Sequence, residues 1–213
     1  MRTLVIDTAT QALSVALFED GVVIAHVHDI VGRGHAEALL PAIAALPDGG
    51  RAATIAVDVG PGSFTGVRIG IAAARALAFA WSARLRGYSA TALIAAAVAR
   101  DPMRDDASAP IPVTITGGHG ELFWQIFAAD GHAPQTPLAS TPIAELAPML
   151  DAPLLYGSGA EALVTARGHG SAFSLYPDAR NYGLIAQDPS CDVHPLYGRG
   201  ADARPMAAAG GGA

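Results

Sequence analysis

The sequence predicts a mixed α/β fold whose first half runs strand, strand, strand, helix, strand, helix, strand, helix. Apolar residues make up 51% and charged residues 15% of the 213 residues, which is typical of a folded globular chain. The first three apolar segments follow one another too closely for helical crossovers, so they should form an antiparallel meander. A glycine-rich turn then joins an apolar strand to a long apolar helix. Because a dinucleotide-binding domain begins with a βαβ unit, this order instead indicates a ribonuclease H-like fold.

Each element of the first half has its own signal. The meander strands are short apolar runs, two of them separated by the turn residues EDG at 19–21. The first helix has Leu39, Leu40 and Ile43 at helical spacing, and Pro41 inside it predicts a kink or a break. The predicted elements are strands at 3–7, 12–18 and 22–27, a helix at 35–46, a strand at 54–59, a helix at 63–81, a strand at 85–88 and a helix at 90–100.

The second half gives a weaker pattern. Three prolines within 101–112 predict a linker, and two apolar runs around the GGHG turn at 117–120 predict a hairpin. A short helix is expected at 181–187. The chain is therefore divided into an N-terminal lobe at 1–106, a smaller C-terminal lobe at 107–205 and a disordered tail at 206–213.

Composition excludes several classes of function. The net charge of −6 makes the chain a poor binder of nucleic acid by itself. The absence of lysine excludes a phosphate-binding Walker lysine and a Schiff base. The single cysteine, Cys191, excludes an internal disulfide and fits a reducing compartment, where we expect an inert thiol. The apolar start ends at Asp7, and the most apolar segment, 69–81, falls short of a span of ~20 residues. We therefore expect a cytoplasmic protein that does not enter a membrane.

The turn DVGPGSFTGVRIG at 58–70 is the most informative stretch. Gly60, Gly62 and Gly66 permit positive φ and the close approach of another surface. Ser63 or Thr65 is placed to cap the helix that follows. Backbone N–H groups at such a turn favour either an anion or a closely packed surface, whereas the alternative is a capped structural turn.

Known motifs fit this turn poorly. It lacks the Walker lysine, and it is not a nucleophile elbow, because Pro61 and Thr65 flank Ser63 where glycines would be required. It spells G-x-G-x-x-x-G, a loose variant of the nucleotide fingerprint, but no acidic residue follows about twenty residues later to bind a ribose.

The helix after the turn is apolar on all sides and carries only Arg68 and Arg75 as charges. A helix of this kind should be buried all round. One side can pack on the chain's own sheet. The other side needs a cover, for which a partner protein is the favoured candidate and burial between the two halves of the chain is the alternative.

The stretch GPGSFTGVRIG at 60–70 resembles the signature of the bacterial TsaB family, proteins of tRNA threonylcarbamoyladenosine biosynthesis. The opening MRTLVIDTATQALSVALFEDG and the segment HAEALLP at 35–41 resemble the family's first strands and first helix. The resemblance covers residues 1 to about 100 and is weaker beyond. It implies an ASKHA (actin-like) fold of two ribonuclease H-like lobes, of which the second is trimmed in this chain.

The resemblance also implies a function. TsaB proteins are non-catalytic subunits that bind the catalytic subunit TsaD and work with the ATPase TsaE to modify the adenosine next to the tRNA anticodon. By this resemblance the chain forms a homodimer when alone, contacts tRNA only through the complex and binds no cofactor by itself, with ATP or ADP placed at the complex interface. The implied partner interface consists of His35, Leu39, Gly60, Pro61, Gly62, Ser63, Phe64, Thr65, Gly66, Val67, Arg68 and Ile71.

No catalytic or metal-binding residue is predicted. The catalytic relatives carry two metal-binding histidines four residues apart on a helix, whereas here Leu39 follows His35 at that spacing. His26 and His28 share a strand face but lack a third ligand. The resemblance implies a degenerate nucleotide site at Asp7, Thr8 and Thr10.

Two enzymatic alternatives remain. An active ASKHA-type ATPase or phosphotransferase would use Asp7, the glycine turn and a second acid, for which Glu121 and Asp130 are candidates. A hydrolase is the least supported alternative, because no Ser-His-Asp set, Cys-His set or zinc motif occurs at a readable spacing.

Overall fold

The computed structural model describes residues 1–104, 106–185 and 193–196. Its first half contains a five-stranded sheet in the order β3-β2-β1-β4-β5. The strands are β1 (Arg2–Asp7), β2 (Ala12–Glu19), β3 (Val22–Ile30), β4 (Thr54–Asp58) and β5 (Arg84–Tyr88). Strands β1, β2 and β3 pair antiparallel, while β4 and β5 continue the sheet in parallel from β1. The predicted meander is confirmed, and the strands of the units that follow it are parallel to β1.

Three helices complete this half: α1 (His35–Ala44), α2 (Phe64–Trp81) and α3 (Ala90–Ala99), with a short 3-10 helix at Pro47–Gly50. The expected break at Pro41 does not occur, because α1 runs through it. Pro41 lies on the exposed side of a helix that ends only three residues later, and its carbonyl still accepts the N–H of Ala45 at 3.1 Å. The missing N–H therefore removes one hydrogen bond without redirecting the chain.

The second half repeats the architecture of the first. Its strands are β6 (Ile111–Thr116), β7 (Glu121–Phe127), β8 (Ala139–Pro142), β9 (Leu154–Tyr156) and β10 (Ser171–Phe173), in the order β10-β9-β6-β7-β8. The first strand is again central, with strands two and three on one side and strands four and five on the other. The helices α4 (Ile143–Leu146) and α5 (Ala160–Arg167) occupy the places of α1 and α2. The predicted hairpin is β6 and β7, and the weak pattern after residue 130 concealed the other elements.

Both faces of the first sheet are covered. Helices α1 and α2 pack on one face through residues such as Leu39 and Ile71. The other face carries α3 and a 3-10 helix at Ala179–Leu184, which the chain reaches after leaving the second sheet. Helix α3 also packs on the second sheet, where Ile94 and Val98 join its core. It therefore connects the two halves rather than belonging to the first alone.

The 3-10 helix lies where a short helix was predicted at 181–187, although residues 186 and 187 are outside the described residues. Cys191 and the predicted tail at 206–213 are outside them as well. The proposed lobe boundary at 106 stays a prediction.

A candidate protein-docking site on the helix after the glycine turn

The glycine turn is held by hydrogen bonds to two other parts of the first lobe. The Ser63 N–H donates to the Ala9 carbonyl at 2.6 Å, which ties the turn to the loop after β1. The Ala90 N–H donates to the Gly60 carbonyl at 3.0 Å, which ties it to the start of α3. The peptide between Gly60 and Pro61 is cis. The turn is thus a fixed junction between β4, the loop after β1 and α3.

Glycine is needed in this junction because other backbone approaches it closely. A Cβ at Gly62 would overlap the Ala9 carbonyl, and one at Gly66 would overlap the Thr8 carbonyl. The Thr8 hydroxyl donates to the Gly66 carbonyl at 2.7 Å. The close approach predicted from the glycines is therefore present, but the approaching surface is the chain's own. Of these three glycines, which permit positive φ, Gly60 is the one that adopts it (φ 99°).

The start of α2 is capped by a side chain. The Ser63 Oγ accepts the N–H of Gly66 at 3.2 Å, which satisfies one of the amides left free at a helix N-terminus. Of the two predicted caps, Ser63 is therefore the one used. Thr65 is exposed.

Helix α2 presents two different sides. Its inner side is buried on the sheet and on the loop after β1, through Gly66, Val67, Gly70, Ile71, Ala74 and Ala78. Its outer side is exposed and consists mainly of apolar or small residues. We call the exposed stripe of Phe64, Arg68, Ala72, Ala76 and Phe79 the docking face.

The docking face has a small-residue centre between aromatic ends. Phe79 is 91% exposed, which is extreme for a phenylalanine. At the other end the Arg68 guanidinium lies 3.5 Å from the centre of the Phe64 ring, a cation–π contact. Because this stripe is exposed, the described part of the second half does not cover it, and the alternative of burial between the two halves is wrong for this side of α2.

Several predicted interface residues point away from the docking face. His35, Leu39, Val67 and Ile71 are buried against the chain's own core, and the His35 ring lies 3.2 Å from the Ala12 carbonyl. Gly60, Pro61 and Gly66 are buried too, and Gly62 is half-buried. These residues can support a partner contact but do not form its surface. Of the predicted set, Ser63, Phe64, Thr65 and Arg68 are exposed.

The sequence prediction omitted Ala72, Ala76 and Phe79 from the contacts. The sequence spacing indicates that they share a face with Phe64 and Arg68, because they follow these residues at intervals of three and four along the helix. Leu40 on α1 is also half exposed and was likewise omitted. The motif covers only the start of α2, whereas the docking face continues to the end of the helix.

By length and composition α2 could cross a membrane, contrary to the expectation from segment 69–81, since its 18 residues have a mean hydropathy of 1.2. It is the single helix of this kind among residues 1–104, 106–185 and 193–196. Its inner side packs on the sheet, and the Arg75 guanidinium donates to the Val193 carbonyl at 2.7 Å. These contacts are those of a helix packed within a globular lobe.

The residues of the predicted nucleotide site are engaged inside the lobe. Asp7 and Thr8 are buried, and the Thr8 hydroxyl is used by Gly66. The Thr10 hydroxyl accepts the N–H of Ala12 at 3.3 Å. Asp7 lies against Asp58 and Tyr88, two residues that the sequence did not single out.

The environment of Asp7 changes its acidity. Burial raises the pKa of Asp7 to about 6, opposed in part by its hydrogen bonds to Asp58, Ala9 and Tyr88. Burial, together with the charge of Asp7, raises the pKa of Asp58 well above its ordinary value. Burial likewise raises the pKa of Tyr88. With 0% of its surface exposed, Asp7 offers no atom to a nucleotide in solvent.

A cleft of about 700 Å³ lies between the lobes, next to this site. It is bounded by the loop after β1, the segment before α1, the start of α2 and the ends of β6 and β9. Polar side chains from both lobes line it, including Thr10, Arg33, Thr65, Thr116 and Ser158. Asp7 and Thr8 do not line it, because both point into the lobe.

No group of three or more potential metal ligands occurs within the described parts of the chain. His28 lies near the carboxylate of Asp178, with its Nδ1 3.8 Å from the Asp178 Oδ2.

Comparison with known proteins gives a consistent picture. The model of the family described as "TsaD: tRNA N6-adenosine threonylcarbamoyltransferase" matches residues 11–135. The tRNA threonylcarbamoyladenosine biosynthesis protein TsaB of Escherichia coli (strain K12) is 37% identical over 135 residues, which are 61% of this chain and 56% of that protein. TsaB of Bacillus subtilis (strain 168) is 34% identical over 101 residues, 45% of this chain and 44% of that protein. The matched region thus spans about half the length of these curated relatives or less.

Solved structures match over more of the chain. YeaZ from Pseudomonas aeruginosa superimposes with a TM-score of 0.68 at 27% identity, covering 84% of this chain and 87% of that one. The ethanolamine utilization protein EutJ from Carboxydothermus hydrogenoformans superimposes with a TM-score of 0.50 at 13% identity, covering 87% and 90%, a likeness in fold alone. The two-lobed, actin-like α/β architecture is therefore confirmed.

Proposed function

We infer a function from the premise that this chain belongs to the TsaD family and, within it, to the TsaB group. We propose that it is a non-catalytic subunit of the complex that forms N6-threonylcarbamoyladenosine next to the anticodon of tRNA. Its role is to bind and activate the catalytic subunit TsaD through the docking face. The same proposal places the protein in the cytoplasm.

The observation that carries the proposal is the docking face itself. Exposed apolar patches of this kind mark interaction sites on otherwise well-packed proteins. Ala72 and Ala76 would let the backbone of a second helix approach closely, and Phe79 supplies an aromatic anchor. Burying one such aromatic side chain contributes about 3 kcal/mol at most. Because the inner side of α2 is locked to the sheet, the face is presented by a rigid element.

A non-catalytic role is supported by the state of the polar residues. Asp7 and Thr8 are buried within the first lobe and make contacts there. Of the two acids considered for phosphotransfer, Glu121 accepts a hydrogen bond from Ser140 at 2.6 Å and Asp130 accepts the N–H of His132 at 2.9 Å. Neither lines the cleft between the lobes.

The remaining partners follow from the same proposal. Alone, the chain covers its docking face by forming a homodimer, which TsaD replaces. The ATPase TsaE joins the complex, ATP or ADP binds at the complex interface rather than to the chain alone, and tRNA is reached through the complex. The net charge of −6 is in keeping with a subunit that leaves most tRNA contacts to its partners.

The test is size-exclusion chromatography with light scattering on the chain alone, with TsaD from the same genome, and with the pair plus ATP. The variant Ala76→Arg places a long cation at the centre of the docking face. Its matched control is Ala166→Arg, an exposed alanine on α5, the counterpart of α2 in the second lobe. We expect a mixed complex with the unaltered chain and the control, and none with Ala76→Arg. Unchanged binding by Ala76→Arg would overturn the assignment of the interface.

Gly66 and Val67, which the motif suggests as targets, are unsuitable for this test. Both are buried, and any side chain at Gly66 would overlap the Thr8 carbonyl. A loss of binding there would report a loss of folding.

The cleft between the lobes favours a second candidate, an ATP-hydrolysing function, since a volume of about 700 Å³ is in the range of small-molecule sites. ATP turnover by the chain alone that is lost in Arg33→Ala would support it. The scaffold function predicts no turnover in either protein.

A further inference from the structure

Two buried carboxyls meet beneath the glycine turn. Asp7 ends β1 and Asp58 ends β4, and the parallel register that pairs Ile6 with Val57 places the two acids side by side. Their exposed fractions are 0% and 1%. The charge of Asp7 adds to burial in raising the pKa of Asp58, so the two carboxyls act on each other.

A hydrogen bond between two carboxyls requires a proton. Ionised carboxylates are acceptors only, and the Asp58 Oδ2 receives no N–H or O–H from the described residues. The carboxyl of Asp7 lies beside it on the adjacent strand, and a hydrogen bond across the pair forms when one of the two acids is protonated. The other oxygens are served by the backbone: the Gly60 N–H donates to the Asp58 Oδ1 at 2.7 Å, and the Ala9 N–H donates to the Asp7 Oδ1 at 3.2 Å.

Among the residues that the structure describes, none is recorded as an ion-pair partner that could replace the proton. The Tyr88 hydroxyl, on β5, lies 3.0 Å from the Ile6 carbonyl and 3.3 Å from the Asp7 Oδ2. The other ionisable groups near the pair lie toward the 3-10 helix at Ala179–Leu184. Among them, the negative charge of Asp178 raises the pKa of Asp7 further.

The nearby guanidinium of Arg180 is already engaged by Asp178. The Arg180 guanidinium donates to both Asp178 oxygens, with Nε at 2.9 Å and Nη2 at 2.5 Å from Oδ2. His28, on β3, also faces Asp178, and the remaining neighbour, Tyr182, packs on Tyr88. Two full negative charges at the buried pair would therefore be unpaired in a medium of low polarity.

We propose that Asp7 and Asp58 form a proton-dependent clasp, in which one shared proton holds the loop after β1 to the glycine turn. Loss of that proton places two repelling charges at the junction and loosens the turn from which α2 begins. Since the contacts of the pair lie wholly within the first lobe, this inference does not depend on the proposed binding of TsaD.

The sign of the resulting pH dependence follows from linkage. In the unfolded chain both carboxyls ionise near pH 4, whereas in the folded chain the pKa of Asp7 is raised to about 6 and that of Asp58 is raised well above its ordinary value. The folded state therefore holds more protons than the unfolded state above pH 4, so stability falls as the pH rises. Wherever the folded chain holds one proton more than the unfolded chain, the unfolding constant rises about tenfold per pH unit.

The first test counts protons released on unfolding at pH 7, by calorimetry in two buffers of different ionisation enthalpy. We expect the unaltered chain to release about one proton more than Asp58→Asn, which keeps the shape of the side chain and supplies a neutral donor to Asp7. Asp178→Asn, which removes a nearby negative charge outside the pair, is the control and should release as many protons on unfolding as the unaltered chain. Equal release by the unaltered chain and Asp58→Asn would overturn the clasp. If Asp58→Asn does not fold, Asp7→Asn takes its place.

A second measurement needs no variant. The amide nitrogens of Ala9 and Gly60 report directly on the carboxyls to which they donate. In an NMR titration of the labelled chain, we expect the Ala9 and Gly60 signals to respond to the pair at pH 6 or above. A single midpoint near pH 4 for both amides would show two ordinary carboxyls and would refute the proposal.

Discussion

The two lobes share one strand order but use the helix after the fourth strand differently. In both lobes that helix begins at a glycine turn packed on the end of the first strand: Gly66 meets Thr8 in the first lobe, and Gly157 meets Thr114 in the second. The Gly159 N–H donates to the Thr114 carbonyl at 3.0 Å, much as the Ser63 N–H donates to Ala9. The turn glycines therefore serve the architecture of both lobes.

The helices differ in length and in their outer surfaces. Helix α2 has 18 residues and an apolar outer stripe that ends at Phe79, whereas α5 has eight residues and exposes Glu161 and Thr165. The comparison teaches that the glycines alone do not mark a docking site. What distinguishes the docking site is the length of the helix and the apolar character of its outer side.

The largest expected effect is on folding, and it should be shared by both lobes. Gly66→Ala should lower the free energy of unfolding by about 3 kcal/mol or more, because its Cβ overlaps the fixed Thr8 carbonyl. Gly157→Ala should do the same in the second lobe, where φ is 108° and the Thr114 carbonyl is in the way. Urea denaturation measures both.

The control for these two variants is Gly118→Ala, whose Cβ meets nothing within 4 Å. Its stability should stay within about 0.5 kcal/mol of the unaltered chain. A stable Gly66→Ala protein would contradict the structural role assigned to the turn and would reopen a direct role for its glycines in binding.

The next largest effect should be on binding to TsaD, which is proposed for α2 and not for α5. Phe79→Ala should weaken binding to TsaD by about 2 kcal/mol, or roughly 30-fold in Kd, because an exposed aromatic anchor is lost. Its stability should hardly change, since the side chain is 91% exposed. Titration calorimetry measures the affinity, with Met103→Ala, an exposed apolar residue outside the helices, as the control. An equal loss in both variants would argue against a defined docking face.

The smallest effect concerns the cap that α2 has and α5 lacks. Ser63→Ala should cost about 1 kcal/mol of stability, because the Gly66 N–H loses its acceptor. Thr65→Ala removes a hydroxyl that does not cap and should change stability by less than about 0.5 kcal/mol. Chemical denaturation of both variants decides between them. A greater loss in Thr65→Ala would mean that the cap has been assigned to the wrong residue.

Much of the fold could be predicted because its signals are local. The meander, the hairpin and the apolar run from Phe64 to Trp81 are set by spacing, turn residues and capping, all of which act within a few residues. The second lobe was harder, because strands of three or four residues such as β8, β9 and β10 carry too little periodic pattern to stand out.

The residues assigned to the candidate site from the sequence differ in exposure. Phe64 and Arg68 are exposed, whereas His35, Leu39 and Val67, assigned to the same partner contact, pack inward. An apolar residue looks the same in a sequence whether it faces its own core or another protein. The partner contact therefore could not be read from apolar character alone.

By itself the sequence determined the order of the elements, the capped helix and the need for glycine at the turn, since each depends on short-range backbone geometry. Only the tertiary structure decided which side of α2 remains exposed and that the Thr8 hydroxyl is used internally. It alone brought Asp7 beside Asp58, residues 51 positions apart in the sequence, because their pairing depends on the parallel register of β1 and β4. Contacts across a sheet join residues distant along the chain, and no local pattern encodes them.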